Sequence, residues 1–176
     1  MRYLIIFLVF ISACSSNDQQ IKQELKTCLQ ANSALEENFL RSLETFESNL
    51  IENNNLAGPT KQSYQNLLVS IIEQREVFNQ KEISEGIEEF WKLQTPSSFA
   101  SYPHCSQKIA ADFQSRVDST YSIFHMSNLY KKMDQQSGFK NKELLTQLIN
   151  GIKDSDFEQI EYRGAILTAM ANYSQQ

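Results

Sequence analysis

Apolar side chains recur at steps of three and four along nearly the whole chain. The first stripe runs through Ile21, Leu25, Cys28, Leu35, Phe39, Leu43, Phe46 and Leu50, the period of a helix with one buried face. Only Asn32 interrupts it. Asn53-Asn54-Asn55 and Gly58-Pro59 predict a stop near Glu52, and Thr60 suits the N-cap of a second helix. That helix carries Tyr64, Leu68, Ile71 and Phe78, then Ile83, Ile87, Phe90 and Trp91. A change of phase near Gln80, with Gly86 beyond it, predicts a bend. Pro96 sets a boundary at Thr95. Thr95 to Pro103 reads as a Ser- and Pro-rich connection, with Phe99 and Tyr102 folded back on the body. Pro103 suits the first turn of a third helix, whose inner face is Ile109, Phe113, Val117 and Phe124. Ile123, Met126, Tyr130 and Met133 join that face in a shifted phase. Asn141 can cap a fourth helix bearing Leu145, Leu148 and Ile152. Asp154 and Ser155 break it, Ser155 and Glu158 match a capping box, and Phe157, Ile160, Leu167 and Met170 come after.

No strand-like alternation competes, so the fold class is all-α. The helical stretches near 18–53, 60–94, 103–136 and 141–173 are matched at about 35 residues, hence roughly 50 Å each. Four matched rods with short connections predict an elongated antiparallel four-helix bundle, with breaks near Gly86 and Asp154. The alternative is an irregular array of five or six shorter helices.

The first fourteen residues differ from the rest. Arg2 precedes an unbroken apolar run from Tyr3 to Ile11, shorter than the about 20 residues a membrane-spanning helix needs but suited to a secretory signal. Small residues and a cysteine come next. Ile11-Ser12-Ala13-Cys14 resembles the lipobox of bacterial lipoproteins, with Ile in place of the commoner Leu. The resemblance implies that residues 1–13 are removed as a signal peptide and that Cys14 becomes the lipid-bearing N-terminus. Residues 14–20 would then be a lipidated cysteine and polar tether, and 21–174 a single helical domain. Ser15 resembles the outer-membrane sorting signal of such lipoproteins. That implies a lipid-anchored envelope protein, on an outer membrane facing the periplasm rather than on the inner membrane or the cell surface.

Charge fits that placement. Removal of Arg2 with the leader leaves 15 basic against 21 acidic side chains, a formal charge of −6. Nucleic acid and anionic headgroups repel such a body, so membrane attachment falls to acyl chains. With Cys14 committed to lipid, Cys28 and Cys105 remain. In an exported chain an even remainder points to a disulfide. In a square bundle the first and third helices are diagonal, too far apart for such a bond. Either the Thr95–Pro103 connection brings the third helix beside the first, or Cys105 lies in an unwound start that folds inward. A tucked connection is the favoured form.

Catalytic chemistry finds little support in the residue types. His104 and His125 stand on one predicted helix about 30 Å apart and cannot share a metal. Glu-x-x-His, Cys-x-x-Cys-His, His-Glu-x-x-His and Gly-rich phosphate loops are missing from the sequence. The chain therefore reads as non-catalytic and without cofactor. Asn32 and Arg75 sit in apolar stripes. They fit a register-setting amide and an interhelical ion pair, or a ligand pocket between helices. Arg41, Arg75, Arg116 and Arg163 each fall midway along one helix, where each can pair with a carboxylate or line an anion pocket. Glu36-Glu37 and Glu88-Glu89 read as solvated faces, and Tyr64 and Trp91 as core. Lys131, Lys132, Lys140 and Lys142 form a basic tip around the third turn. Lys140 and Lys142 stand at a helix N-terminus, where cations are disfavoured, which points to contact with a partner. The expected function is a lipid-anchored accessory or scaffold protein that binds another envelope component, itself a protein. The competing expectation is a helical-bundle binding protein for a small anion.

Overall fold

The computed structural model describes residues 2–32, 38–74, 96–135 and 141–174. Among them the chain is all-helical: α1 (Arg2–Asn32), α2 (Phe39–Glu52), α3 (Lys61–Gln74), α4 (Pro96–Phe113), α5 (Ser122–Gln135), α6 (Lys142–Gly151), α7 (Asp154–Phe157) and α8 (Ile160–Ser174). None of these helices is long and apolar enough to cross a membrane.

The centre is α8. Its sequence is apolar on every side and shows almost no amphipathic bias, the signature of a helix surrounded by protein. All residues from Ile160 to Ala171 are buried. Helices α1, α2, α3, α6 and α7 pack against it. Small side chains allow their close approach. A Cβ at Gly164 would lie 2.3 Å from the Tyr102 hydroxyl and 2.5 Å from Leu43 Cδ1, so no other residue fits there without displacing both neighbours. Around this axis α1 packs on α4, α4 on α5, α5 on α6, and α6 on α3.

Helix ends obey their local chemistry. The Asn141 side chain accepts hydrogen bonds from the Glu143 and Leu144 amides, and Thr60 Oγ1 from the Ser63 amide, so both expected N-caps form. α2 stops at Glu52, as the asparagine run predicts. Asn54 adopts φ 58°, and the Asn55 and Leu56 amides both return to the Leu50 carbonyl, a left-handed helix termination. Ser155 caps nothing. It lies inside the single turn of α7, and α8 begins only at Ile160.

Shorter elements replace three of the four expected rods, and the second is described only as far as Gln74. α1 and α2 touch, which a continuous helix over 18–53 could not do. The third stretch divides at Gln114–Tyr121, where Asp118 Oδ1 accepts a hydrogen bond from the Thr120 amide. α5 then folds back on α4. The shift of hydrophobic phase between Phe113 and Ile123 is the trace of this turn. The fourth stretch divides at Ile152–Lys153 and again at Glu158–Gln159. The bend expected near Gly86 lies outside the described residues. Ser15–Gln20 is also regular rather than a loose tether. It belongs to α1, and Asp18 pairs with Lys22 at 3.0 Å.

Cys28 on α1 and Cys105 on α4 are bonded, with Cα atoms 5.7 Å apart. Of the two windings that would permit the bond, α4 lies directly beside α1. Cys105 is not in an unwound start. The stretch read as a connection is helical from Pro96, which occupies the first helical position, and Pro103 falls inside α4. Ser101 Oγ ties the same junction by donating to the Asn32 carbonyl at 2.7 Å. Tyr102 reaches inward, stacking on Tyr130 with ring centroids 6.4 Å apart and tilting against Phe39 at 5.9 Å.

This packing has two measurable consequences. The oxidised protein should contain no free thiol at Cys28 or Cys105, and replacing both with Ala should cost about 2–5 kcal/mol. Two titratable thiols in the oxidised wild-type domain would refute the bond. The Tyr102 hydroxyl is buried with no hydrogen-bond partner among the described residues, a deficit of about 1–3 kcal/mol. Tyr102→Phe should therefore raise the urea midpoint, whereas a loss of stability would mean that the hydroxyl is satisfied.

Candidate functional site

Arg163 is the basic residue of the central helix, and each of its three guanidinium nitrogens donates a hydrogen bond. Nε and Nη2 donate to Glu47 Oε1 and Oε2 at 2.6 and 2.8 Å, and Nη1 donates to the Phe157 carbonyl at 2.8 Å. Tyr64 donates to Glu47 Oε1 at 2.5 Å, and its ring meets Phe157 edge-on at 5.2 Å. Arg163 and Glu47 are 8% and 6% exposed. One carboxylate thus joins α2, α3 and α8. Burial lowers the Arg163 pKa, but the Glu47 hydrogen bonds and charge outweigh it and the net shift is upward. Burial, and then Glu47, push the Tyr64 phenol well above its ordinary range.

A second buried carboxylate fixes α7. Asp156, 2% exposed, accepts from Ser122 Oγ at 2.6 Å and pairs with Lys22 at 3.1 Å. The same Ser122 hydroxyl accepts from the Lys153 amide at 2.9 Å. This places the start of α5, the α6–α7 junction and the first buried turn of α1 in one polar cluster. Burial lowers the Lys22 pKa, but hydrogen bonds to Asp18 and Asp156 reverse this and raise it overall.

Because α7 is a single turn, the chain between it and α8 leaves a cleft of about 400 Å³ against α1 and α2. Lys26 and Gln30 of α1 line one side, with Leu40, Arg41 and Glu44 of α2. Glu158, Gln159, Ile160 and Glu161 form the other, and Arg163 reaches the wall between them. Glu161 is 9% exposed and makes no hydrogen bond or ion pair with any described residue. A smaller hollow of about 270 Å³ lies beyond Glu158, beside Phe157 and the Lys61–Asp154 ion pair of 2.7 Å.

The structure distributes the sequence-selected residues unevenly. Arg41 lies in the cleft wall and is exposed, without an ion pair to any described residue. Arg163 reaches the cleft but is neutralised by Glu47, while Arg116 leaves it altogether and covers the Phe113 ring at 5.0 Å. Asn32 is corrected from a stripe position to an exposed helix end, where Nδ2 donates to the Cys28 carbonyl at 2.9 Å. His125 packs its ring on Gly151 and bonds the Gln147 carbonyl at 2.9 Å, and His104 is exposed. Lys131 and Lys132 are exposed at the end of α5, and Lys142 at the start of α6. Cys14 falls within α1. Arg75, Lys140, Trp91, Glu36-Glu37 and Glu88-Glu89 lie outside the described residues. Sequence pattern misses Glu47, Asp156 and Glu161. Arg163 carries the usable signal: a charge in a helix apolar on every side demands a buried partner.

Breaking the central pair strands a charge, so Glu47→Gln or Arg163→Met alone should cost about 3–5 kcal/mol. Combining Glu47→Leu with Arg163→Met should return much of that loss, because both charges leave together. Denaturant unfolding of the set decides the point. Single variants within about 0.5 kcal/mol of wild type would mean that the pair is solvated.

The chain matches no protein-family model, no curated protein and no solved structure.

Proposed function

We propose that the protein is a non-catalytic, lipid-anchored envelope protein that docks another envelope component, itself a protein, in an accessory or scaffold role. The observation that carries this reading is the leader, Met1 to Cys14, whose last four residues resemble a lipobox. α1 extends the argument. Cys14 precedes Ile21, the first core residue, by about two helical turns, or roughly 10 Å. The Asp18–Lys22–Asp156 contacts fasten that segment to the body. A lipid on Cys14 would then hold the domain near the bilayer as a stiff mount, on an outer membrane facing the periplasm. We read the helices as a bundle closed around α8 rather than as four equal rods. Lys131, Lys132 and Lys142, exposed where α5 ends and α6 begins, supply the surface for an acidic partner, with Lys140 from the intervening segment.

A second reading is favoured by the cleft between α1, α2 and α8: a helical binding protein for a small charged ligand. Arg41 is the midpoint arginine left unpaired there.

Two measurements test the leading reading. Intact mass of the membrane fraction should show the leader removed and acyl chains added, and Cys14→Ser should release the protein. A photo-crosslinker at Lys132 should give one discrete adduct in native membranes. Replacing Lys131, Lys132, Lys140 and Lys142 with Gln should weaken that adduct about fivefold or more, at rim-charge energies of about 0.2–1 kcal/mol each. Unchanged retention of Cys14→Ser would remove the anchor from the account, and an unchanged adduct in a folded Gln variant would remove the docking surface.

A further inference from the structure

The cleft between α1, α2 and α8 carries charges of both signs. Lys26 and Arg41 project from α1 and α2, and neither forms an ion pair with a described residue. Glu158 and Glu161 line the facing side, with Glu44 one turn along from Arg41. Arg163 adds little net charge to the cleft, since Glu47 neutralises it and each of its nitrogens already donates to Glu47 or to the Phe157 carbonyl.

Glu161 is the cleft carboxylate without a partner. The residue is nine-tenths buried, lines the cleft and has no partner among the described residues. Its place in the first turn of α8 favours the charge. Its carboxylate oxygens open to the cleft rather than being sealed in, since the Tyr102 hydroxyl is the buried side-chain atom left unpartnered among the described residues. A bound cation would supply the missing partner. A cation alone would face Lys26 and Arg41, and an anion alone would face three carboxylates.

Resting on the ligand-binding reading of the cleft, we propose that it binds a small zwitterion, its ammonium on Glu161 and its acidic group on Arg41 and Lys26. That chemistry belongs equally to a free amino acid and to a phosphoethanolamine headgroup.

Calorimetric titration of the full chain in detergent separates the alternatives. The probes are 5-aminovalerate, O-phosphoethanolamine, pentylamine and valerate. At least one of the two zwitterions should bind about tenfold or more tightly than either singly charged probe, as expected for a second charge-assisted contact. Aminovalerate alone would identify the amino-acid source, and phosphoethanolamine alone the headgroup. Glu161→Gln should weaken the zwitterion about tenfold. Arg41→Gln should do the same with an unchanged melting temperature, because that side chain is exposed. Valerate binding as tightly as the zwitterions would overturn the proposal while keeping an anion cleft. Equal binding of pentylamine would overturn it in favour of a cation site. Silence from all four probes would overturn both the proposal and the ligand-binding reading beneath it.

Discussion

Neither Glu47 nor Arg163 can be buried without the other, and much of the fold is arranged around that fact. An isolated charge in the interior costs several kcal/mol, and Coulomb attraction repays this only with full hydrogen bonding. Here the guanidinium donates to both carboxylate oxygens and to the Phe157 carbonyl, and Tyr64 donates to the same carboxylate. Satisfying the pair fixes α8 against α2, orients α3 through Tyr64, and sets the α7 turn through Phe157. A slide of one helix past another would strand several polar groups at once. The pair thus contributes register more than net stability.

The helix that carries Arg163 could not be placed any other way. Residues 160–171 are all buried, so α8 is enclosed along most of its length, with its first turn bordering the cleft, and its small residues permit that. Gly164 lets Tyr102 of α4 reach the axis, and the Tyr130 hydroxyl donates to the Ala165 carbonyl at 3.2 Å. The buried Cys28–Cys105 bond then closes α1 on α4. Lys22, reaching Asp156 from α1, links this shell to the turn before α8. The cleft is what remains where the short α7 fails to fill the gap between α1, α2 and α8.

Hydrophobic period makes the helices and most of the core legible. Ile21, Leu25, Phe39, Leu43, Tyr64, Leu145 and Leu148 are buried as their spacing predicts, and the caps at Thr60 and Asn141 come from side-chain chemistry alone. Period cannot show where a stripe folds back on itself. Phe113 and Ile123 both face the core, so the reversal between them registers only as a phase change. Pro96 reads as a boundary and Pro103 as a helix start, whereas Pro96 takes the first helical position and Pro103 lies within α4. The burial of Glu47, Asp156 and Glu161 depends on which helices meet, and short-range pattern carries no record of that. The disulfide is legible because its prediction rests on cysteine number and the expected compartment rather than on packing.

The arrangement implies a gradient of local stability, from the enclosed axis to the exposed ends of α5 and α6. Core elements exchange their amide hydrogens only when the whole domain opens, while exposed ends exchange by local fluctuation. Native-state hydrogen exchange resolved by segment is therefore the most direct test of the central claim. The amides of residues 163–171 should exchange slowest, at the rate of global unfolding. Glu47→Gln should accelerate them as much as it lowers global stability. Exchange of that segment as fast as at the end of α5, or unaltered in the destabilised variant, would contradict a fold built around α8 and its buried ion pair.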